Sequence, residues 1–478
     1  MDKHVYWLEK KEKELEKKVL TEYSTEEVRK HLEYLATLIR HAGTDDELKA
    51  ATYIMEKLDE FGIKAKLFEI DDAYISYPGK AEFEIFSPLQ KSFPCLTHSF
   101  SASTPPDGIE AELIWLGKGS EEDYQDVDAK GKIVLVEPGR AAAQVEAAEI
   151  AEKNEAVAQI HISVENPKAI SVNRFGRTWG NPNLETMNKV PRTPAISICN
   201  DDGKYLAALT QKGPVVAGIK ADVWSGYKKI RCPMGVIPGT KEPEKYMLFA
   251  THYCSWFTGV TDNATANAMM LETARILSKY RKNLGRSVKL AWWSGHSQGR
   301  AACSTWYLEN FWDDLRDNAV AYVVTDAIGR IGSSGFSTRN TEEIRKFHEK
   351  VVKDVLGLER KSTRVTKTGD QCLWGLGIPS MAGSTQTPGG KAWFTHTVDD
   401  TLDKVDMELI KIPFKVIATS ILRICNNPVL PFDFVAVADA FLEGLNELQE
   451  DGGGDLDLTS LTTQAKALKH KAEALNNG

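Results

Sequence analysis

Trp292-Trp293-Ser294-Gly295-His296-Ser297-Gln298-Gly299 closes a hydrophobic run that begins at Val288. The run reads as a strand, Ser-Gly as a turn, and a helical pattern follows. A strand that stops in front of a helix presents its turn at the carboxyl edge of an open α/β sheet, where ligands bind. Four other segments carry polar groups beside strand-like runs. His252-Tyr253-Cys254-Ser255-Trp256 follows the strand Met247 to Thr251, and Gly259-Val260-Thr261-Asp262-Asn263-Ala264 comes next. Val323-Val324-Thr325-Asp326-Ala327-Ile328-Gly329 and His396-Thr397-Val398-Asp399-Asp400-Thr401 complete the set. One His at a strand end is usually a hydrogen-bonded structural residue. His252, Asp262, Asp326 and His396 together are a set of metal-ligand types.

In order and spacing these segments resemble the zinc exopeptidase family of bacterial aminopeptidases, glutamate carboxypeptidase and the transferrin receptor. The similarity spans nearly the whole chain. In that family the first junction reads W-S-G-E-E-x-G, with the first Glu as general base and the second as a metal ligand. Here His296 and Ser297 stand at those positions. The other family patterns are H-x-D-S, G-A-x-D-N, N-L-D-M-I-G and H-T-x-x-D-T. Cys254 replaces the Asp of the first of these.

The resemblance implies His252, Asp262 and Asp326 on one metal, and Asp262, Ser297 and His396 on the other. Zinc accepts His nitrogen and carboxylate oxygen in a roughly tetrahedral set, and Ser is a poor substitute for Glu. The expected cofactor is therefore one or two divalent ions, zinc first, with the second site impaired. His296 either acts as the base or swings in as a ligand. Cys254 either replaces the hydrogen bond that orients His252, ligates as thiolate, or pairs with His296 as a nucleophile. His296 and Cys254 are thus the candidate catalytic residues.

Composition fits a large soluble protein. The 478 residues are 42% hydrophobic, and the net charge of −8 comes from interspersed signs. That balance provides no nucleic-acid patch. The seven cysteines are scattered, odd in number and without C-x-x-C spacing, which suits a reducing compartment. The charged start gives no signal peptide and no apolar stretch reaches spanning length, so the expectation is a cytoplasmic protein without membrane contact.

The expected fold is α/β: a mainly parallel mixed sheet flanked by helices, with an inserted protease-associated β-rich domain and a C-terminal helical module. Residues 1–76 give N-terminal helices and the first part of the catalytic domain. A charged helix spans Val5 to Val19, and Ser24 caps the next, with Glu27 three residues on. The phrase His41 to Glu47 leads into a helix ending at Phe61, followed by a strand from Lys64 to Ile70.

Residues 77–234 carry short strands separated by Pro and Gly. Lys132 to Val136 followed by an Ala-rich helix, Ala141 to Lys153, resembles the protease-associated domain. Residues 235–428 alternate strand and helix. Residues 429–478 resemble the dimerisation module of the glutamate carboxypeptidase and transferrin receptor branch, which implies a homodimer. Leu461, Ala465, Leu468 and Ala472 fall near helical spacing there.

Arg174, Arg177 and Asn181 lie in a loop of the inserted domain, which in the dimeric branch overhangs the active site. Arg suits a carboxylate through paired hydrogen bonds. Asp370 matches a pocket-lining family position, which makes these four the candidate substrate-binding residues. Trp256, Trp374 and Trp393 are placed to form an aromatic wall. The function these residues imply is metal-dependent hydrolysis of a C–N bond in a small amide or peptide. The alternatives are a non-catalytic binding or scaffold homologue and an enzyme built on Cys254 and His296.

Overall fold

The computed structural model describes residues 10–139, 141–163, 167–367, 369–388, 392–452 and 456–477. Arg286–Trp293, Glu242–His252, Ala319–Thr325 and Ser380–Thr385 lie side by side and parallel. Phe336–Asn340 joins Ser380–Thr385 antiparallel. Parallel strands covered on both faces read as continuous apolar runs. Residues 246–252 are all buried. Their side chains alternate: Met247 and Phe249 enter one core, Leu248 and Ala250 the other. The helices Thr25–Leu35, Asp45–Glu60, Thr265–Lys279 and Met407–Asn426 supply the first core. Ala302–Asn310 and Trp312–Asn318 supply the second. The molecule is thus a mixed α/β fold with a large mixed sheet flanked by helices.

The helix expected from Val5 is described from Lys10 to Thr21, and residues 5–9 lie outside the described residues. Ser24 caps the next helix by accepting from the Glu27 N–H at 3.2 Å. The largest departure follows. The strand expected over Lys64 to Ile70 runs on to Ser87, paired antiparallel with Val216–Ile237. The boundaries expected at 76/77 and 234/235 fall inside these two strands. Register shifts between Ile70 and Ala73, and between Pro78 and Ala81, take up Asp71-Asp72 and Gly79-Lys80 without ending the pairing.

Beyond this ribbon, Ile109–Trp115, Ile133–Val136, Ala158–Ser163 and Ala195–Cys199 form a parallel set with its own apolar core. The Ala-rich helix spans Ala141–Lys153. At the C-terminal end, Phe434–Asp451 and Thr459–Asn477 form a helical pair.

Two buried charges tie the N-terminal helices to the sheet's carboxyl edge. The Arg40 guanidinium donates to the carbonyls of Leu35 (2.6 Å), Tyr253 (2.8 Å) and Gly259 (3.0 Å). Glu47, in the first turn of Asp45–Glu60, accepts from Arg231 N–H at 2.9 Å and from the Ser294 hydroxyl at 2.7 Å. Buried charges persist when they are fully hydrogen-bonded, and these two hold the loops that carry His252 and His296.

Candidate metal centre

The strand Glu242–His252 ends on His252, and the π-turn Val260–Ala264 carries Asp262 above it. Asn263 secures that turn. Its Nδ2 donates to Thr251 Oγ1 at 2.9 Å, and its Oδ1 accepts from Ala327 N–H at 3.1 Å. Asp400 holds the turn from the other side, accepting from Thr261 N–H at 2.9 Å. Asp326 follows the strand Ala319–Thr325.

These elements bring His252, Asp262, Asp326 and His396 together. His252 Nε2 lies 3.3 Å from Asp262 Oδ1 and 3.3 Å from Asp326 Oδ1. His396 Nε2 lies 3.2 Å from the other Asp262 oxygen. Asp262 therefore faces one imidazole with each oxygen. Burial pushes its pKa up, but His252 and His396 outweigh that and hold it well below the usual carboxylate range.

His296 joins the group. Its ring stacks on His252 with centroids 3.9 Å apart and planes 10° from parallel. Donor atoms of His252, His296 and Asp326 all lie within 4.8 Å of one another. His296 Nδ1–H donates to Asp370 Oδ2 at 2.7 Å, and Ser304 Oγ donates to Asp370 Oδ1 at 2.6 Å. The Asp370 carbonyl in turn accepts from the Tyr322 hydroxyl at 2.7 Å. Burial, then the neighbouring His252, lowers the His296 pKa, while Asp370 opposes them. The net effect favours the neutral ring. Gly369 explains the close fit. At φ +53° it takes a left-handed backbone, and a Cβ there would lie 2.9 Å from His296 Cε1.

The donor set fits a divalent cation. Three imidazoles have Nδ1 committed to an acceptor: His252 to the Cys254 carbonyl (2.9 Å), His296 to Asp370, and His396 to Asn173 Oδ1 (3.0 Å). A neutral ring with its proton on Nδ1 turns a bare Nε2 lone pair outward. For His252 and His396 that nitrogen meets carboxylate oxygens, a contact that needs a positive charge between the two: a second ring proton, toward which, against burial, Asp326 and Asp262 raise the His252 pKa, or a cation in its place. Donor atoms in a tetrahedral zinc site with bonds of about 2.0–2.1 Å sit roughly 3.3 Å apart, as they do around His252. Ser297 is buried on the turn and brings a hydroxyl where the resemblance has a carboxylate.

Cys254 is buried beneath the cluster. Its Sγ accepts from His296 N–H at 3.2 Å and sits 4.0 Å from His252 Nδ1. It thus seats the backbone of the turn, while its own carbonyl, rather than its side chain, makes the shorter contact with His252.

A cavity of about 320 Å³ opens over the group, lined by His252, Asp262, His296, Asp326, Asp370 and His396. Arg174, Arg330 and Arg339 also line it. The structure brings Arg174 and Asp370 to the site, but not Arg177 or Asn181. Arg177 is exposed and pairs with Glu149 at 2.9 Å. Asn181 is a fastener: its Nδ2 donates to the carbonyls of Tyr74 (2.8 Å) and Gly299 (2.7 Å). Loop spacing does not encode where such side chains point. Trp256 packs beside His396, and Trp374 pairs with Trp179, so neither lines the cavity. Arg330, Arg339, Asn263 and Asn173 were not singled out from sequence. Asn263 alone had a local signal, standing beside Asp262.

Residues 234–421, less than half of the chain, match the model of peptidase family M28. Over 85% of this chain and 68% of the relative, it is 24% identical to a probable glutamate carboxypeptidase, VP8, of Zea mays. Carboxypeptidase Q of Xenopus laevis is 26% identical over 56% of this chain and 58% of its own length. A shorter stretch, 23% of this chain, is 35% identical to transferrin receptor protein 1 of Gallus gallus and covers 15% of it. Among solved structures, an M28 peptidase precursor from Shewanella amazonensis superposes with a TM-score of 0.71 at 18% identity, covering 88% of this chain and 97% of that one. The zinc aminopeptidase of Bacillus subtilis gives 0.64 at 19% identity, covering 83% and 94%. At such identities these neighbours speak for the fold. The segment that carries His252, Asp262, His296, Asp326, Asp370 and His396 is thus the one that matches peptidase family M28, in line with the resemblance in its motifs.

Proposed function

We propose that this chain is a metal-dependent hydrolase of a C–N bond in a small amide or peptide substrate. The observation that carries this reading is the convergence of imidazole Nε2 atoms and carboxylates at the foot of one cavity. His252, Asp262 and Asp326 would hold the principal cation, with zinc the natural occupant. His396 faces the far oxygen of Asp262, and Ser297, with a hydroxyl in place of the family's carboxylate, offers little to a second ion. A bound cation of this kind supplies Lewis acidity toward a carbonyl oxygen and activates water. His296 Nε2, on a ring kept neutral by burial and oriented by Asp370, would accept the proton as water attacks. Arg174, with Arg330 and Arg339, suits recognition of a substrate carboxylate.

The test combines elemental analysis with hydrolysis of a panel of dipeptides, N-acyl amino acids and aminoacyl amides. The expected result is one tightly held divalent ion per chain and cation-dependent cleavage of at least one carboxylate-bearing substrate. No ion after loading and no cleavage across the panel would overturn the reading in favour of a non-catalytic homologue. The free state of all seven thiols fits a reducing compartment, the cytoplasm. Among the described residues no helix is long and apolar enough to cross a membrane. Residues 77–234 are proposed as the protease-associated-like insertion.

A homodimer through the C-terminal helices completes the proposal. Ala438, Ala465 and Ala472 are buried, whereas Phe434, Phe441 and Leu448 on one helix and Leu461, Leu468 and Leu475 on the other are exposed. Both exposed rows repeat every seven residues, the spacing of a seam that packs against another helix. Light scattering at micromolar concentration should return twice the 53.1 kDa chain mass. Phe441→Lys with Leu468→Lys should return the single-chain mass. A wild type that is already monomeric contradicts this part of the proposal.

A further inference from the structure

His396 stands in a left-handed backbone conformation, φ +61°. Non-glycine residues hold such a conformation only when their surroundings impose it. Two contacts from the inserted segment do so here. Val172 N–H donates to the His396 carbonyl at 2.9 Å, and Asn173 Oδ1 accepts from His396 Nδ1–H at 3.0 Å. The next residue, Arg174, lines the cavity.

Asn173 is itself fixed from behind. Its Nδ2 donates to Gln144 Oε1 at 2.5 Å, and its backbone N–H donates to His98 Nδ1 at 3.0 Å. The far nitrogen of His98 is occupied by Ser197 Oγ at 2.9 Å. Gln144, Asn173 and His98 are all buried. With its NH₂ group committed to Gln144, the Asn173 amide can present only its oxygen to His396. An oxygen there requires the proton on His396 Nδ1, and that leaves Nε2 bare toward Asp262. The tautomer of a cluster histidine is therefore set from outside the catalytic segment, by a chain running from the Ala-rich helix through Asn173.

We propose that Asn173 is a positioning residue for His396, and that through it the inserted segment sets the cation affinity of the cluster. Groups that orient a metal-binding imidazole typically change affinity 10–100-fold when lost. This inference rests on the cation-binding reading above, so its test has two separate readouts.

The first is zinc affinity of the full-length protein, by competition with a chromophoric chelator. Asn173→Ala should weaken the second, looser zinc equivalent, on the His396 side of Asp262, about 10–100-fold while leaving the first, at His252, in place. Asn173→Asp keeps an acceptor for His396 Nδ1–H while losing the donor to Gln144. It should stay within a few-fold of wild type, which a merely structural role for the Gln144 link would not allow. The second readout is the His396 tautomer in metal-free protein, by long-range ¹H–¹⁵N correlation with ¹⁵N-histidine. Wild type and Asn173→Asp should show the proton on Nδ1, and Asn173→Ala a mixture of tautomers. Wild-type affinity in Asn173→Ala, or an unchanged His396 tautomer, would overturn the proposal. Wild type that binds no zinc yet shows the Asn173-dependent tautomer would overturn the metal reading while leaving Asn173 as the group that positions His396.

Discussion

Asp262→Ala should leave the protein folded but unable to retain a divalent cation, and hydrolysis should fall to background. Asp262 sets one oxygen against His252 at 3.3 Å and the other against His396 at 3.2 Å. Removing it separates the two halves of the donor set. Lewis-acid stabilisation of a hydrolytic transition state amounts to several kcal/mol, so its loss corresponds to roughly 10³-fold or more in rate. Elemental analysis beside turnover checks this. An Asp262→Ala protein that keeps both its ion and its activity would remove Asp262 from the centre of the site.

His296→Ala should behave differently. Turnover should drop about 10²–10⁴-fold, the range for losing a general base, while the ion stays. His296 is held by Asp370 rather than by the carboxylates around His252, so its removal leaves the contacts of His252 with Asp262 and Asp326 in place. Asp370→Asn should act in the same direction, because an amide can turn its NH₂ toward Nδ1 and favour the wrong tautomer. Loss of the ion from His296→Ala would instead make His296 a ligand, a role its donor distance of under 4.8 Å from Asp326 allows.

The parts of the site legible in sequence were those with a local signature. His252, Asp326 and His296 sit at or just past the ends of strands, a local pattern the sequence shows. Asp262 and His396 lie on turns well beyond a strand end, and only the resemblance of their segments to the family motifs groups them with the others. The Ser24 cap is likewise a local hydrogen bond, to the N–H three residues ahead.

Asp370 and Asn173 carry no such signature. Asp370 meets His296 across 74 residues, and Asn173 meets His396 across 223. Nothing in the composition of either loop distinguishes an inward side chain from an outward one, and Arg174 and Arg177 went opposite ways for that reason. The strand expected to end at Ile70 continues to Ser87 because register shifts after Ile70 and after Pro78 let the pairing resume, and local periodicity does not carry through such shifts.

That long ribbon bears on how the chain assembles. Lys64–Ser87 lies between the sheet and the inserted segment, and its partner Val216–Ile237 comes only after the whole insertion. Until residue 237 is made, the first strand has a bare edge of unpaired peptide groups, the kind of surface that invites pairing with other chains. Contacts this distant in sequence form late and slowly. The core of the insertion takes in Phe83 and Ile85 from the first ribbon strand and Ala217, Ile219 and Ala221 from the second, so its closure draws the two strands together. Arg286–Trp293, made later, then adds to Val216–Ile237, an edge already in place.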